Sequence, residues 1–247
     1  MENFIKKYND LITIYLITWN EELLLPFAVE HYRRRFPNCK IVIYDNESSD
    51  CTIKCASELQ CEVITFNTYN KLSDLMFQYI KNTHWKTAET PWVLICDLDE
   101  WLDISEGELR VEESYGRTII QAEGYMMVNM EDNLNIAGIN HGYRDEQVAI
   151  FYDKCLLFNR TQITNINYIM GAHACNPDGN VNYGTKKYPM YHYKYLSPDY
   201  LVERYKMYRE RLSDANKENS WGGSCLSTEL TIRTQFIQFR EIVKKLF

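Results

Sequence analysis

The residues best suited to chemistry stand in a short acidic run, Asp97-Leu98-Asp99-Glu100. Alternate residues after a strand can bring two carboxylates to the same side of the chain. Two hard oxygen ligands that leave other coordination positions open suit Mg²⁺ or Mn²⁺, and such a cation neutralises the charge on a diphosphate leaving group. Because the preceding residues 92–96 are apolar, we expect Asp97 and Asp99 to bind a divalent cation at the end of a buried strand.

Two more polar clusters follow apolar runs, Thr18-Trp19-Asn20-Glu21 and the segment at residues 45–50. A carboxylate at Asp45 can accept hydrogen bonds from a nucleobase or a ribose. Asp45 and Asn46 suit a turn and a helix cap equally well. Asn20 and Glu21 likewise either contact a nucleotide or begin the next helix.

Two histidines follow strand-like runs, His173 in Gly171-Ala172-His173 and His192 in Tyr191-His192-Tyr193. Imidazole is a good third ligand for Mn²⁺ beside carboxylates. A lone histidine is more often structural, so for each of the two both interpretations stay open.

The elements that must position these residues alternate between strand and helix through residue 100. Apolar runs predict strands at residues 11–17, 40–44, 62–66 and 92–96, and helical periodicity predicts helices at residues 21–36 and 72–86. This order predicts a parallel sheet with right-handed crossovers, whose ligand site lies at the carboxyl ends of the strands. All three polar clusters fall at such ends.

The pattern changes after residue 103. Residues 118–130, 147–158 and 163–170 resemble strands with no long helix between them, and residues 198–212 and 226–246 resemble helices. We therefore expect one α/β domain over residues 1–247, with a mostly parallel sheet flanked by helices. Its parts are a nucleotide-binding half at 1–105, an acceptor half with mixed strands at 106–197, and C-terminal helices at 198–247.

The composition narrows the class of protein. A net charge of −7 over 247 residues argues against a broad nucleic-acid-binding surface. The chain has no GxGxxG, P-loop or GxSxG motif. Its beginning lacks the apolar core of a signal peptide, and no apolar stretch approaches the ~20 residues of a membrane span. These features predict a soluble, cytoplasmic protein without a transmembrane segment.

Three segments together resemble glycosyltransferase family 2 and its relatives of the GT-A fold. They are Ile17-Thr18-Trp19-Asn20-Glu21-Glu22, residues 43–52, and Ile95-Cys96-Asp97-Leu98-Asp99-Glu100-Trp101-Leu102, which contains a "DLDEW" form of the DxD motif. Later segments are similar to the same group less specifically, among them Glu203-Arg204-Tyr205. The resemblance implies a GT-A fold, a UDP- or GDP-sugar donor, Mn²⁺ or Mg²⁺, and a glycan or other hydroxyl acceptor.

The resemblance also implies roles for individual residues. Asp45, with Asn46 beside it, would contact the base or ribose, and Asp97 would face the ribose or the metal. Asp99 would bind the metal, and either His192 or His173 would complete the metal shell. The remaining donor contacts would come from Thr18, Asn20, Glu21 and Lys81, the last near the phosphates.

An inverting enzyme of this group uses a carboxylate to deprotonate the acceptor hydroxyl. Met130-Glu131-Asp132 resembles the Glu-Asp motif of many GT-A enzymes, so Asp132 is the expected base, and Asp145 is its rival. The chain shows no clear QxxRW-type motif, which argues against processive polysaccharide synthesis.

Two other functions fit parts of the pattern. A metal-dependent nucleotidyltransferase would use a similar sheet, but its expected glycine-rich phosphate loop is absent from residues 18–25. A non-catalytic protein that binds sugar-nucleotides or glycans is the third possibility, against which the intact DxD with nearby histidines argues.

Overall fold

The computed structural model describes residues 11–147 and 152–247. The strands are β1 Ile12–Thr18, β2 Lys40–Asp45, β3 Glu62–Thr65, β4 Trp92–Asp97, β5 Glu100–Leu102, β6 Ile119–Val128, β7 His141–Tyr143, β8 Lys154–Asn159, β9 Ile163–Asn165, β10 Asp178–Gly179, β11 Tyr183–Tyr195 and β12 Lys244–Lys245. The α-helices are α1 Leu25–Arg35, α2 Thr52–Glu58, α3 Asp74–Thr83, α4 Glu106–Ser114, α5 Pro198–Arg211, α6 Asp214–Glu218 and α7 Glu229–Ile242.

The first half of the chain builds a parallel sheet in the order β3-β2-β1-β4. All seven residues of β1 are buried because helices cover both faces of the sheet. Ile14 and Leu16 pack into the core on the side of α1, whereas Tyr15 and Ile17 pack into the core on the side of α3. The predicted strands and their parallel order are confirmed.

Both long helices of this half begin later than the sequence pattern predicts. Residues 22–24 form a turn, and α1 begins at Leu25, with Pro26 in the position that needs no backbone N–H donor. Helix α3 begins at Asp74 because the Ser73 side chain accepts a hydrogen bond from the backbone N–H of Met76.

The second half extends the sheet with mixed pairings, as predicted. Strand β8 runs antiparallel to β4 and β6, and β7 and β12 continue that edge. Strand β11 runs parallel to β6 and antiparallel to β5, the short strand that follows β4 in the chain. The expected α/β class, parallel in its first half and mixed in its second, is confirmed.

Several boundaries of the second half differ from the expectations. The strand expected at 163–170 ends at Asn165, and that expected at 147–158 begins at Lys154, although residues 148–151 lie outside the described residues. Helix α4 was not predicted, yet Ser105 and Glu108 form a reciprocal capping box at its start. None of the helices in the described ranges has both the length and the apolar character that crossing a bilayer requires.

The C-terminal helices α5 and α7 pack against the ends of β6 and β11 through a third apolar cluster, which includes Val128, Tyr205 and Phe236. The last turn of α5 is also tied to the loop before α3. The backbone N–H of Leu72 donates to Arg211 O at 2.7 Å, and that of Ser213 donates to Leu72 O at 3.0 Å. This contact brings the end of α5 to the carboxyl edge of the parallel strands.

Candidate functional site

The three polar clusters meet at one edge of the sheet. Strand pairing places Thr18 beside Asp45 and Ile17 beside Asp97. Beyond the strands, the backbone N–H of Asn46 donates to Thr18 O at 2.9 Å, and that of Leu98 donates to Ile17 O at 3.0 Å. The geometry follows from parallel strands, whose carboxyl ends share an edge.

Asp99 and His192 lie side by side at this edge. Pairing of β11 with β5 sets His192 opposite Glu100, and the His192 Nε2 lies 3.2 Å from the Asp99 Oδ2. The backbone N–H of Tyr193 also donates to Asp99 O at 2.8 Å. Burial tends to raise the pKa of Asp99, but the interaction with His192 outweighs burial and holds that pKa below the ordinary value.

Asp97 forms an ion pair with Lys81 of α3. The Lys81 Nζ lies 2.8 Å from the Asp97 Oδ2, and the side chains are 4% and 36% exposed respectively. Burial acts to lower the pKa of Lys81, but the carboxylates of Asp97 and Glu100 raise it to about 12. Lys81 thus stays charged, and it faces the aspartate that the sequence places in the metal or ribose site.

A second ion pair joins Glu100 to Lys154 of β8, and both side chains are buried. Burial tends to raise the pKa of Glu100. The charges of Lys154 and Lys81 outweigh burial, so the pKa of Glu100 lies below its ordinary value. The Glu100 Oε2 has no hydrogen-bond partner. Two lysines therefore compensate the carboxylates on either side of Asp99.

Three cavities open beside these residues, and the smallest, with a volume of about 190 Å³, is lined by Asp99, His192 and Arg204 among others. The Trp19 cavity has a volume of about 230 Å³, and its lining includes Thr18, Trp19, Glu21, Asp99 and Arg211. The His173 cavity has a volume of about 350 Å³, and its lining includes Tyr125, Tyr152, Lys154, His173 and Lys194. Asp97, Glu100 and His192 line both the Trp19 and the His173 cavity, so they stand at the boundary between them.

The turn that carries His173 depends on a glycine. Gly171 has a φ of 73°, in the left-handed region, and a Cβ at that position would lie 2.6 Å from the His173 Cδ2. Partial burial, and then the charge of Lys154, lower the pKa of His173 to about 4. His173 therefore has a neutral imidazole at pH 7. It lines the His173 cavity and does not line the Trp19 cavity.

The residues after β1 are tied to neighbouring elements. The Asn20 Oδ1 accepts from the backbone N–H of Ser49 at 2.7 Å, and the backbone N–H of Glu21 donates to the Thr52 Oγ1 at 2.7 Å. The Glu21 carboxylate forms a buried ion pair with Arg204 of α5. Thr18 and Glu21 line the Trp19 cavity, whereas Asn20 is not among its lining residues.

Asp45 and Asn46 are also engaged in the fold. Asp45 is fully buried, its Oδ2 accepts from the backbone N–H of Ser48 at 3.0 Å, and its Oδ1 has no partner. The Asn46 side chain donates to the Thr68 Oγ1 at 2.9 Å and accepts from Arg211 at 2.8 Å. Neither residue is among the described residues that line the Trp19 cavity.

Arg211, which the sequence interpretation missed, comes from the C-terminal end of α5. Its guanidinium lies 3.5 Å from the centroid of the Trp19 ring. No local motif marks Arg211 as a site residue, because the element that it contacts lies far away in sequence. Arg204, about two turns earlier on the same helix, stood in a segment with only a weak resemblance.

The structure does not bring Asp132 or Asp145 to the cavities. The Asp132 side chain is 95% exposed and pairs with Arg240 at 2.8 Å. Asp145 accepts from the Tyr143 hydroxyl at 3.0 Å and from the backbone N–H of Gln147 at 2.9 Å. Neither lines the Trp19 or the His173 cavity. The loop after β6 carries Asp132 and is held against α7 through Arg240, so the base expected from the Glu-Asp motif lies outside both cavities.

The chemistry of the donor set suits a divalent cation. Asp99 and His192 form an adjacent carboxylate and imidazole pair, and Asp97 is two residues away. Over residues 11–147 and 152–247 no group of three or more His, Cys, Asp or Glu side chains converges as metal ligands. Lys81 instead holds one oxygen of Asp97. Among the described residues, one carboxylate and one imidazole are therefore adjacent, and a lysine engages the further carboxylate that a cation would need.

No protein-family model matches the chain, and no curated protein matches it. Solved structures show a distant likeness. Residues 1–349 of S. aureus TarS share 12% identity, with 85% of this chain and 69% of that one covered and a TM-score of 0.44. The complex of the same protein with UDP-GlcNAc shares 13% identity, with 86% and 70% covered and a TM-score of 0.43.

The chain spans 41% of a longer S. aureus TarS structure, with 13% identity, 83% of this chain covered and a TM-score of 0.46. A mycobacterial protein shares 13% identity, with 49% of this chain and 43% of that one covered and a TM-score of 0.34. At these values the likeness assigns no role to any residue.

Proposed function

We propose that the protein is a divalent-cation-dependent glycosyltransferase of the GT-A type, which transfers a sugar from a nucleotide-diphosphate donor to a hydroxyl acceptor. The observation that carries the proposal is the Asp99–His192 pair at the carboxyl edge of a parallel sheet, in which His192 lines both cavities and Asp99 lines the Trp19 cavity. Ligands of α/β sheets bind at this edge. The two cavities give separate places for a donor and an acceptor.

In this proposal Asp99 and His192 hold Mn²⁺ or Mg²⁺, with Asp97 as a further ligand. The bound cation would supply charge neutralisation on the diphosphate leaving group. We prefer His192 to His173 as the imidazole ligand because the His192 Nε2 already lies 3.2 Å from the Asp99 Oδ2. Lys81 would keep the charge of Asp97 balanced when the cation is absent.

The donor occupies the Trp19 cavity and reaches toward Asp97, and the acceptor occupies the His173 cavity. The volumes of about 230 and 350 Å³ place the combined space in the ~300–1,000 Å³ range of small-molecule sites. Trp19 and Tyr208 provide aromatic surface in the first cavity. Tyr125 and Tyr152 provide aromatic surface in the His173 cavity. Aromatic faces of this kind suit the packing of a sugar ring.

His173 is our proposed base. Its neutral imidazole accepts the proton of the acceptor hydroxyl as the hydroxyl oxygen forms a bond to the anomeric carbon of the donor. The bond from that carbon to the phosphate oxygen breaks, and the diphosphate leaves with the electron pair. One such displacement inverts the anomeric configuration.

A ligand screen tests the proposal. Thermal unfolding is measured with UDP-glucose, UDP-GlcNAc, GDP-mannose, UTP and GTP, each with and without Mn²⁺. We expect a UDP- or GDP-sugar to raise Tm in a Mn²⁺-dependent way, and the same donor to be consumed in the presence of a glycan acceptor. Stabilisation by nucleoside triphosphates alone would favour a nucleotidyltransferase. Stabilisation by a sugar-nucleotide that persists in Asp99→Ala, without turnover in the wild type, would favour a binding protein.

A further inference from the structure

Arg211 carries a buried positive charge that the described residues do not compensate. The residue is 4% exposed, and the hydrogen-bond acceptors of its guanidinium among the described residues are oxygens of the neutral Asn46 and Asn70. Its Nη1 is buried without a hydrogen-bond acceptor. Burial, the largest effect, lowers the pKa of Arg211 to about 10, so the group remains charged at neutral pH. An unpaired buried charge is costly, which favours binding of an anion beside it.

Three contacts fix the guanidinium in one orientation. Its central carbon, Cζ, lies over the Trp19 ring, 3.5 Å from the ring centroid. Its Nη2 donates to the Asn46 Oδ1 at 2.8 Å, and its Nε donates to the Asn70 Oδ1 at 3.0 Å. All three partners are neutral, so they orient the group without balancing its charge. Nη1 is the guanidinium nitrogen without a hydrogen-bond acceptor among the described residues, and the residue lines the Trp19 cavity.

The surroundings of Arg211 explain what kind of ligand it would take. Arg211 is the one arginine or lysine among the described residues that line the Trp19 cavity, and the acidic residues of that lining are Glu21, Asp74, Asp97, Asp99 and Glu100. Lys81 and Arg204 form ion pairs with two of these residues, Asp97 and Glu21, and neither is among the residues that line this cavity, although Arg204 lines an adjoining one. A diphosphate that enters the cavity would therefore meet carboxylates, apart from Arg211 and His192.

We propose that Arg211 binds a phosphate oxygen of the donor with its guanidinium, and so extends the donor site to the end of α5. The proposal rests on the proposed function, since it concerns the ligand of the same cavity. Its ligand class is a nucleoside diphosphate or inorganic diphosphate, in which a charged oxygen gives the unpaired guanidinium its missing acceptor. Asn46, which the sequence placed at the nucleotide, then acts as a positioning residue that holds Arg211.

Calorimetric titrations separate this role from a purely structural one. Binding of UDP, uridine and inorganic pyrophosphate is compared, with Mn²⁺ present, in the wild type, Arg211→Gln, Arg211→Lys and Lys206→Gln. Lys206 lies on the same helix with a side chain that is 63% exposed, so it controls for the loss of one positive charge. Circular dichroism and urea midpoints confirm that each variant is folded.

We expect Arg211→Gln to weaken UDP and pyrophosphate binding by about 10- to 100-fold, the range for a charge-assisted hydrogen bond, with little effect on uridine. Arg211→Lys should recover part of the pyrophosphate affinity, and Lys206→Gln should match the wild type. Unchanged affinities in a folded Arg211→Gln, or an equal loss for UDP and uridine, would overturn the inference. If the wild type binds pyrophosphate through Arg211 but no nucleotide, the proposed function fails while the phosphate role stands.

Discussion

The His192 Nε2 lies 3.2 Å from the Asp99 Oδ2, although 93 positions separate the two residues in sequence. The contact exists because β11 pairs with β5 beyond the end of β4. It gives the DxD run an imidazole partner on a different element, and it is the basis of the first prediction.

Under the proposed function, Asp99→Ala and His192→Ala should each abolish the Mn²⁺-dependent part of donor binding and lower transfer by at least about 100-fold, because each would remove a proposed ligand of the cation. Mn²⁺ titrations followed by calorimetry and donor turnover provide the measurements. His173→Ala is the matched control for the imidazole: it should keep Mn²⁺ affinity and lose turnover. Mn²⁺ binding that depends on His173 and not on His192 would reverse the assignment.

The two members of the Asp97–Lys81 pair should differ in their effect on stability. Removal of Asp97 leaves the Lys81 side chain, which is 4% exposed, without its nearest carboxylate, whereas removal of Lys81 leaves an aspartate that is 36% exposed and partly hydrated. We expect Asp97→Ala to lower the free energy of unfolding by about 3 kcal/mol, as for a buried charge that loses its partner. Lys81→Met should cost about 1 kcal/mol.

Urea denaturation at pH 7 measures both effects. Lys186→Met serves as the control, since Lys186 and Glu108 form a largely exposed pair with a 3.4 Å separation that should contribute well under about 1 kcal/mol. An equal cost for Asp97→Ala and Lys81→Met would show that burial does not decide the balance within this pair.

Gly171→Ala should reduce turnover by about 10- to 100-fold, because the added Cβ would lie 2.6 Å from the His173 Cδ2 and displace the imidazole. The left-handed backbone should also cost about 1 kcal/mol of stability. Gly116→Ala is a close control: Gly116 has a φ of 69°, and a Cβ added there would have no atom within 4 Å. It should show the same stability loss with normal turnover. Equal turnover in both variants would remove His173 from the mechanism.

Glu112 should contribute to stability in a pH-dependent way. Burial tends to raise its pKa, but hydrogen bonds from Thr185 and Tyr188 lower it below the ordinary value. A carboxyl group with a lowered folded-state pKa stabilises the protein above its unfolded pKa of about 4.5, and the contribution is lost as pH falls through the folded pKa.

Glu112→Gln should therefore be less stable than the wild type at pH 7, and the difference should shrink toward pH 3. Urea midpoints between pH 7 and pH 3 provide the test, with Glu106→Gln at an exposed ion pair as the control. A difference that stays constant across this range would mean that packing, and not the charge of Glu112, is responsible.

Asp132→Asn should keep donor turnover within about threefold of the wild type, because the Asp132 side chain is 95% exposed and pairs with Arg240 outside both cavities. Activity assays at saturating donor give the comparison, with Asp99→Asn as the inactive reference. A loss of turnover as large as that of Asp99→Asn would restore the base predicted from the sequence motif.

The α/β class and the position of the site follow from the amino-acid pattern alone. Strands and helices alternate through residue 100, and the apolar runs of β1, β2 and β4 each end in polar residues. These features are local, because strand and helix periodicities act over a few residues, and parallel strands must bring their carboxyl ends to one edge. The pattern therefore predicts that Thr18, Asp45 and Asp97 lie together, as the strand pairing confirms.

The distant side chains that complete the site depend instead on tertiary packing. His192 reaches Asp99 through the pairing of β11 with β5, and Arg211 reaches Asn46 across 165 positions. Likewise, Asp132 is held at α7 by Arg240, 108 positions away. Such contacts follow from how whole elements pack, which depends on the summed burial of many apolar residues. For that reason no local motif predicts them.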